Sequence, residues 1–117
     1  MINNGIIIGF ILFSLYKIEP LIYQNKVCIR IFNNSKFEIT KVSIFSIKFD
    51  NIKQGKKSKF KRLNFNIETD DSLLYLTAKS NNYALYVTPE FSIGKYMYVI
   101  DSLNEENRFI YLRKVSY

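Results

Sequence analysis

The stretch from Thr40 to Ile67 constrains the fold of this chain most, because apolar and polar residues alternate in it on both sides of a lysine-rich turn. Side chains alternate with a period of two along a β-strand, whereas the 3.6-residue period of a helix would scatter these apolar residues around its axis. The stretch therefore predicts an antiparallel hairpin. Its turn is expected at Gln54-Gly55-Lys56-Lys57, where glycine adopts a positive φ without steric cost.

Each arm of this predicted hairpin has one apolar face. These faces carry Phe45, Ile47 and Phe49 on the first arm, and Leu63, Phe65 and Ile67 on the second. Val42 and Ile44 are out of phase with the first set, so we expect a bulge or bend near Ile44-Phe45.

The rest of the chain repeats the strand pattern with shorter segments and shows no helical period. The expected strands include Val27 to Phe32, Leu73 to Lys79, Tyr83 to Thr88, Lys95 to Ile100 and Arg108 to Val115, the last with Phe109, Tyr111 and Val115 in phase. A second hairpin is expected at Ser80-Asn81-Asn82. Seven strands in about ninety residues predict an all-β fold, an immunoglobulin-like antiparallel β-sandwich of about seven strands.

Tyr96 follows two residues after Gly94, at the start of a predicted strand. This spacing is typical of a tyrosine corner, in which the phenol hydroxyl bonds to backbone a few residues upstream. The alternative is an ordinary core or surface tyrosine.

A short apolar segment, Gly5 to Tyr16, precedes the strands. It is shorter than the roughly 20 residues that a transmembrane helix needs, and it suits the core of a signal peptide. No Lys or Arg precedes it and no small-x-small cleavage site follows, so a buried first strand is the alternative. We favour export to the periplasm or cell envelope. Residues 1–20 are then a signal-peptide-like or anchor segment, in contact with a membrane only if uncleaved, and residues 21–117 are the sandwich domain.

The positive charge is concentrated in one part of the chain. The net charge is +7, and 11 of the 17 Lys and Arg residues fall between Lys26 and Arg62, against Glu38 and Asp50. The cations on or beside the predicted turn are a candidate anion-contacting surface: Lys53, Lys56, Lys57, Lys59, Lys61 and Arg62. We expect weak, general attraction to anionic surfaces. The alternative is a solvated face whose lysines reflect the composition alone.

Several chemistries are excluded by residue type. The chain has one cysteine, Cys28, and no histidine, which excludes Ser-His-Asp and Cys-His catalysis and leaves too few ligands for zinc. Cys28 lies within a strand and is expected to be a half-buried small hydrophobe. The carboxylates at 68–71 do not have calcium-loop spacing, and the adjacent Asp70 and Asp71 form no acid–base pair. We predict no catalytic residues, no metal, no cofactor and no enzymatic activity.

The strand and turn residues together resemble a group of small exported β-sandwich proteins of Gram-negative envelopes, many of them lipoproteins of unknown function. The resemblance covers Val27 to about Tyr117 and is carried by Asn33-Asn34-Ser35, Ile39, Val42, Ile52-Lys53-Gln54-Gly55, Ser58, Phe60, Lys61, Gly94-Lys95-Tyr96, Tyr98 and Ile100. It implies a sandwich without catalytic residues. The group's lipid-modified cysteine has no counterpart, since Lys17 and Ile18 follow the apolar run.

Two functions from different classes follow. The first is a non-enzymatic exported domain with a binding or structural role in the cell envelope, with a protein or glycan partner and no specific nucleic acid. The alternative is a basic β-barrel module that binds single-stranded nucleic acid, with Phe60 and Phe65 stacking bases among Lys59, Lys61 and Arg62. Against this alternative, Phe65 is in phase with Leu63 and Ile67 and is expected in the core.

Overall fold

The computed structural model describes residues 27–66, 69–89 and 92–117. Within these residues the regular secondary structure consists of strands: β1 Val27–Asn33, β2 Thr40–Ile44, β3 Ile47–Phe49, β4 Lys61–Arg62, β5 Leu73–Ala78, β6 Asn81–Tyr86, β7 Gly94–Asn104 and β8 Phe109–Ser116. The predicted segment 1–20 and the boundary at residue 21 lie outside the described residues. In the part of the chain that is described, no helix is long and apolar enough to cross a membrane.

The strands form two four-stranded sheets that pack as a sandwich, which confirms the all-β prediction. The first sheet has the order β4-β1-β7-β8 and the second has the order β3-β2-β5-β6. The expectation of a wholly antiparallel sandwich is wrong for one pair, because β1 and β7 run parallel, with Ile31 beside Tyr98. Alternation determines the face that a side chain takes, but it does not determine which distant strand lies alongside.

The core lies between the inner faces of the two sheets. In β1 the predicted alternation is confirmed, because Val27, Ile29 and Ile31 are buried while Cys28 is half-buried. The largest fully buried side chains of this core are Tyr98, Phe45, Ile29, Ile31, Ile39, Ile44, Leu74, Leu76, Ile100, Ile110 and Val42. Large side chains from both sheets therefore fill one shared interior, as expected for a sandwich.

The central hairpin is shorter than predicted, because the chain reverses within its first arm. Ile44 pairs with Ile47, so Phe45 and Ser46 form a two-residue turn between β2 and β3. Both have positive φ, 51° and 63°, as in the type I′ turns that match the twist of a hairpin. The prediction that Phe45, Ile47 and Phe49 share one strand face is therefore wrong.

The left-handed backbone conformation of Phe45 is unfavourable by itself. Burial of the Phe45 side chain offsets this cost. The Phe45 ring packs edge-on against Phe65 and Tyr98, with ring centroids 5.5 and 6.0 Å apart. Aromatic pairs of this kind contribute about 0.5–1.5 kcal/mol beyond the area they bury. The tertiary contact thus stabilises a turn that carries no Asn-Gly or Asp-Gly signal.

The segment after β3 crosses from the second sheet to the first, so it is not the return arm of a hairpin. Ile52 bridges to Ile39, Lys57 bridges to Phe32, and β4 then pairs antiparallel with β1. The predicted turn itself is present, with Gly55 at φ 76°. Leu63 is buried and Phe65 packs against the core, as their phase indicates.

The later strands confirm the second hairpin and the predicted phase of the last strand. β5 and β6 form the predicted second hairpin, but its turn is Lys79-Ser80, just before the expected position. In β8 the core side is Ile110, whereas Phe109 and Tyr111 are 43% and 48% exposed. The shared face of Phe109 and Tyr111 is thus the solvent face.

The tyrosine corner is confirmed at Tyr96. Its hydroxyl donates to the Ser92 carbonyl oxygen at 2.8 Å and accepts from the Ser92 amide at 3.3 Å. The ring is 7% exposed, so these bonds satisfy a hydroxyl that would otherwise be costly to bury. They fix the chain that enters β7.

Replacing Ser46 by Gly tests the corrected hairpin. Ser46 is exposed and left-handed, so the change should raise the free energy of unfolding by about 1 kcal/mol, measured by urea titration. Ser43→Gly makes the same chemical change within β2 and should lower it by about 0.5–1 kcal/mol. A lower free energy of unfolding for both variants would mean that residues 42–49 form one continuous strand.

Replacing Tyr96 by Phe tests the corner. Removing the hydroxyl leaves the Ser92 carbonyl without its partner and should cost about 1–3 kcal/mol of unfolding free energy. Tyr86→Phe is the control, because Tyr86 is 65% exposed. An unchanged urea midpoint for the Tyr96 variant would show that the hydroxyl contributes nothing.

Candidate functional site

The lysine-rich turn is anchored by Asn33, a fully buried polar residue at the end of β1. Its side-chain nitrogen donates to the carbonyl oxygens of Phe37 and Ile52, at 2.7 and 2.9 Å. Its side-chain oxygen accepts from the amide and hydroxyl of Ser35, at 3.0 and 2.6 Å. Both ends of the amide are thus satisfied, which is what makes its burial tolerable.

Backbone bonds attach the turn to the same strand. The Gly55 amide donates to the Asn33 carbonyl at 2.7 Å, and the Asn33 amide donates to the Lys56 carbonyl at 2.9 Å. Further along, the Ser58 amide donates to the Ile31 carbonyl, and its hydroxyl accepts from the Ile31 amide at 2.9 Å. The backbone that carries the lysines is therefore fixed along β1, while their long side chains extend into solvent.

Five of the six predicted cations line one groove, which we call the lysine groove. It has a volume of about 540 Å³ and is lined by Lys53, Lys56, Lys57, Lys59 and Lys61, with Glu38, Phe49, Asp50, Asn51, Ile52 and Ser58. Among the described residues, the ion pairs are Lys79–Glu105 and Arg113–Asp101, and neither involves these lysines. The groove therefore keeps a positive excess of five lysines over two carboxylates.

The lysines of the groove differ in how firmly they are held. The Lys61 ammonium donates to the Lys48 carbonyl oxygen and lies 5.3 Å from the Phe49 ring centroid. Lys57 lies 5.4 Å from the Phe32 centroid. All five lysines are exposed. An approaching anion therefore meets all five ammonium groups, of which Lys57 and Lys61 are held by these contacts.

Arg62 is not part of the lysine groove. It pairs with Cys28, which alternates with buried Val27 and Ile29, so Arg62 and Cys28 lie on the solvent face of the first sheet. The structure thus divides the six predicted residues between two surfaces, because β4 turns successive side chains to opposite sides.

The second surface was anticipated from the sequence only in Phe60 and Arg62, and we call it the aromatic-cation face. It is the solvent face of the first sheet around Arg30, Phe32, Phe60, Arg62, Lys95 and Tyr117. Arg30 alternates with fully buried Ile29 and Ile31, which turns it outward. The strand alternation already separated Arg30 and Phe32 from the core. The parallel neighbour β7 places Lys95 beside Cys28, from where it reaches the same Phe60 ring as Arg30, and this pairing is not a local property of the sequence.

Phe60 is the centre of this face. The Arg30 guanidinium lies 4.4 Å and the Lys95 ammonium 5.2 Å from its ring centroid, and the Tyr117 ring packs edge-on at 5.5 Å. Arg30 also donates to the Ser58 carbonyl at 3.2 Å, and the Tyr117 hydroxyl donates to the Met97 sulfur at 3.5 Å. Cation–π contact with Phe60 thus holds the charges of Arg30 and Lys95 in place beside the Tyr117 ring.

An acidic side chain on the same sheet, Asp101, is already neutralised. Arg113 donates to both of its carboxylate oxygens, at 2.6 and 3.0 Å, and Asn34 donates at 3.1 Å. The hydrogen bonds from Arg113 and then Asn34 lower the pKa of Asp101. The carboxylate therefore stays ionised and paired, and it does not compete for Arg30 or Lys95.

Metal-ligating clusters and shifted acid–base groups are the remaining features that could carry chemistry. No group of three or more His, Cys, Asp or Glu side chains within 27–66, 69–89 and 92–117 could hold a metal ion. Burial raises the pKa of Tyr98 to about 12, with the neighbouring Tyr96 adding to the shift. The Tyr98 hydroxyl therefore remains protonated at neutral pH.

Comparison with protein-family models, with curated proteins and with solved structures gave no match.

Proposed function

We propose that this protein is a non-enzymatic, exported β-sandwich domain of the cell envelope that binds anionic partners. The observation that carries this proposal is the lysine groove, in which five lysines line one surface and form no ion pair among the described residues. An unneutralised cluster of one sign raises the local concentration of oppositely charged partners.

We further propose that the sandwich is immunoglobulin-like and corresponds to about seven main strands. Two packed sheets, a two-residue β4 at one sheet edge and the tyrosine corner at Tyr96 support this proposal. In such folds the contact surfaces lie on loops and sheet faces, which is where both basic surfaces are found.

The character of the groove supports weak and general attraction, without a specific anion pocket. Lysine ammonium groups are point charges on flexible stems and lack the rigid fork that lets arginine recognise an anion bidentately. Exposed charges are screened over about 8 Å at physiological ionic strength. The partners that suit such a groove are extended anionic surfaces, such as an acidic glycan, an acidic protein face or an anionic lipid surface.

Replacing Lys56, Lys57 and Lys59 by Gln tests the groove. Binding of the full chain to vesicles of anionic lipid at low salt should weaken by up to about 1 kcal/mol per lysine, and parent binding should fade as salt rises. The control triple, Lys36, Lys41 and Lys48 to Gln, removes the same charge from exposed positions elsewhere. Equal losses in both triples would mean that net charge alone acts. Absence of parent binding at low salt would reject the groove as a contact surface.

The exported address is a separate proposal that rests on the apolar run Gly5 to Tyr16. In native expression we expect the protein in the envelope fraction, with a mature N-terminus near residue 21 by intact mass if the segment is cleaved. A full-length chain in the cytoplasmic fraction would contradict export. A cytoplasmic reporter enzyme serves as the fractionation control.

A further inference from the structure

The aromatic-cation face has properties that the lysine groove lacks. Its charges are held against a ring, since Arg30 and Lys95 both lie over Phe60. Next to them, Tyr117 is 64% exposed, although its ring packs edge-on against Phe60 and its hydroxyl donates to the Met97 sulfur. Arg62 adds a further cation along β4. None of these cations belongs to an ion pair among the described residues.

We propose that the aromatic-cation face binds single-stranded nucleic acid without sequence preference. Tyr117 offers the open ring on which a base stacks, and Arg30, Arg62 and Lys95 hold the phosphates on either side. Every base has a π-face, so stacking of this kind tolerates any sequence. This inference rests on the proposed role in binding anionic partners, but it uses a different surface and adds a ligand class.

The arrangement favours a single strand over other anions. A duplex keeps its bases stacked on one another and offers a side chain mainly its phosphates, whereas a single strand can place an unstacked base on an aromatic ring. An anionic bilayer or a polyphosphate supplies charge without a planar partner for Tyr117. The interleaving of rings and cations is therefore the observation that decides between these classes.

The same solvent face extends along β8. Phe109 and Tyr111 form an edge-on pair with centroids 4.9 Å apart, and both are more than two-fifths exposed. From Tyr111 to Tyr117 the strand advances by about 20 Å at roughly 3.3 Å per residue. A short single strand can thus lie along β8.

The alternative predicted from the sequence was a basic β-barrel in which Phe60 and Phe65 stack bases. The strands instead form two packed sheets, and Phe65 packs against the core. Of that pair, Phe60 alone reaches the solvent face, where it positions cations. The exposed ring beside it is Tyr117.

The experiment uses the full chain and a labelled thymidine 12-mer, measured by fluorescence anisotropy across a salt series. The 12-mer paired with its complement, inorganic polyphosphate and anionic vesicles are the competing ligands. We expect the single strand to bind more tightly than the duplex at every salt concentration.

Two variants with matched controls locate the contact. Tyr117→Ala should weaken single-strand binding by about 5- to 150-fold. Tyr86→Ala should leave it unchanged, because Tyr86 is equally exposed, at 65%, on the second sheet. Lys95→Gln should reduce the slope of log affinity against log salt by about 0.7, whereas Lys48→Gln on β3 should not. Urea unfolding of each variant verifies that it is folded.

Several results would overturn the inference. Equal affinity for duplex and single strand would mean that the face binds through charge alone. Equal losses of affinity from Tyr117→Ala and Tyr86→Ala would mean the same. Vesicle binding that depends on Tyr117 without oligonucleotide binding would assign the face to a membrane surface. If oligonucleotides fail to bind while vesicle binding still depends on Lys56, Lys57 and Lys59, the inference falls and the proposed function stands. If neither ligand binds, both fall.

Discussion

The buried amide of Asn33 is the interaction on which the rest of the structure depends. An amide removed from water without partners costs several kcal/mol, so its burial is stable only when all of its bonds form together. Those bonds reach Ser35 and Phe37 in the following loop and Ile52 in the crossing segment. Ile52 in turn bridges to Ile39 next to the second sheet. One side chain thus couples the end of β1 to the chain that connects the two sheets.

This coupling also determines where the charge is displayed. The crossing segment runs along the edge of β1, and its backbone bonds to Asn33 and Ile31 leave the lysines of the turn on the outer edge of the first sheet. The same strand turns Arg30 and Phe32 to the solvent face of that sheet. Both basic surfaces therefore depend on β1, the strand whose alternating pattern is the clearest in the sequence.

Local patterns in the sequence predicted part of this arrangement. Period-two alternation identified the buried face of β1. The β5–β6 hairpin could be predicted because its two strands are neighbours in sequence. The Gly55 turn and the Tyr96 corner follow from short motifs. The turn at Phe45 could not be predicted, because its left-handed backbone is stabilised by rings that are distant in sequence. The parallel pairing of β1 with β7 could not be predicted from local patterns either. The position of Lys95 near Arg30, over the same Phe60 ring, depends on that pairing. The sequence therefore indicated the lysines of the groove, but of the aromatic-cation face it indicated Phe60 and Arg62 alone.

The two surfaces differ in the freedom of their charges, and that difference suggests how they would work together on one anionic strand. Lysines on flexible stems attract from a distance and impose little geometry, so they act mainly on the rate of encounter. Charges held over Phe60 have already lost part of their conformational freedom, so less entropy remains to be lost when a ligand binds. Lys57 lines the groove and also lies over Phe32, so it stands between the two surfaces. If both proposals hold, an anion attracted by the groove meets Lys57 beside Phe32 on the way to the aromatic-cation face, where contact with Tyr117 would add orientation to attraction.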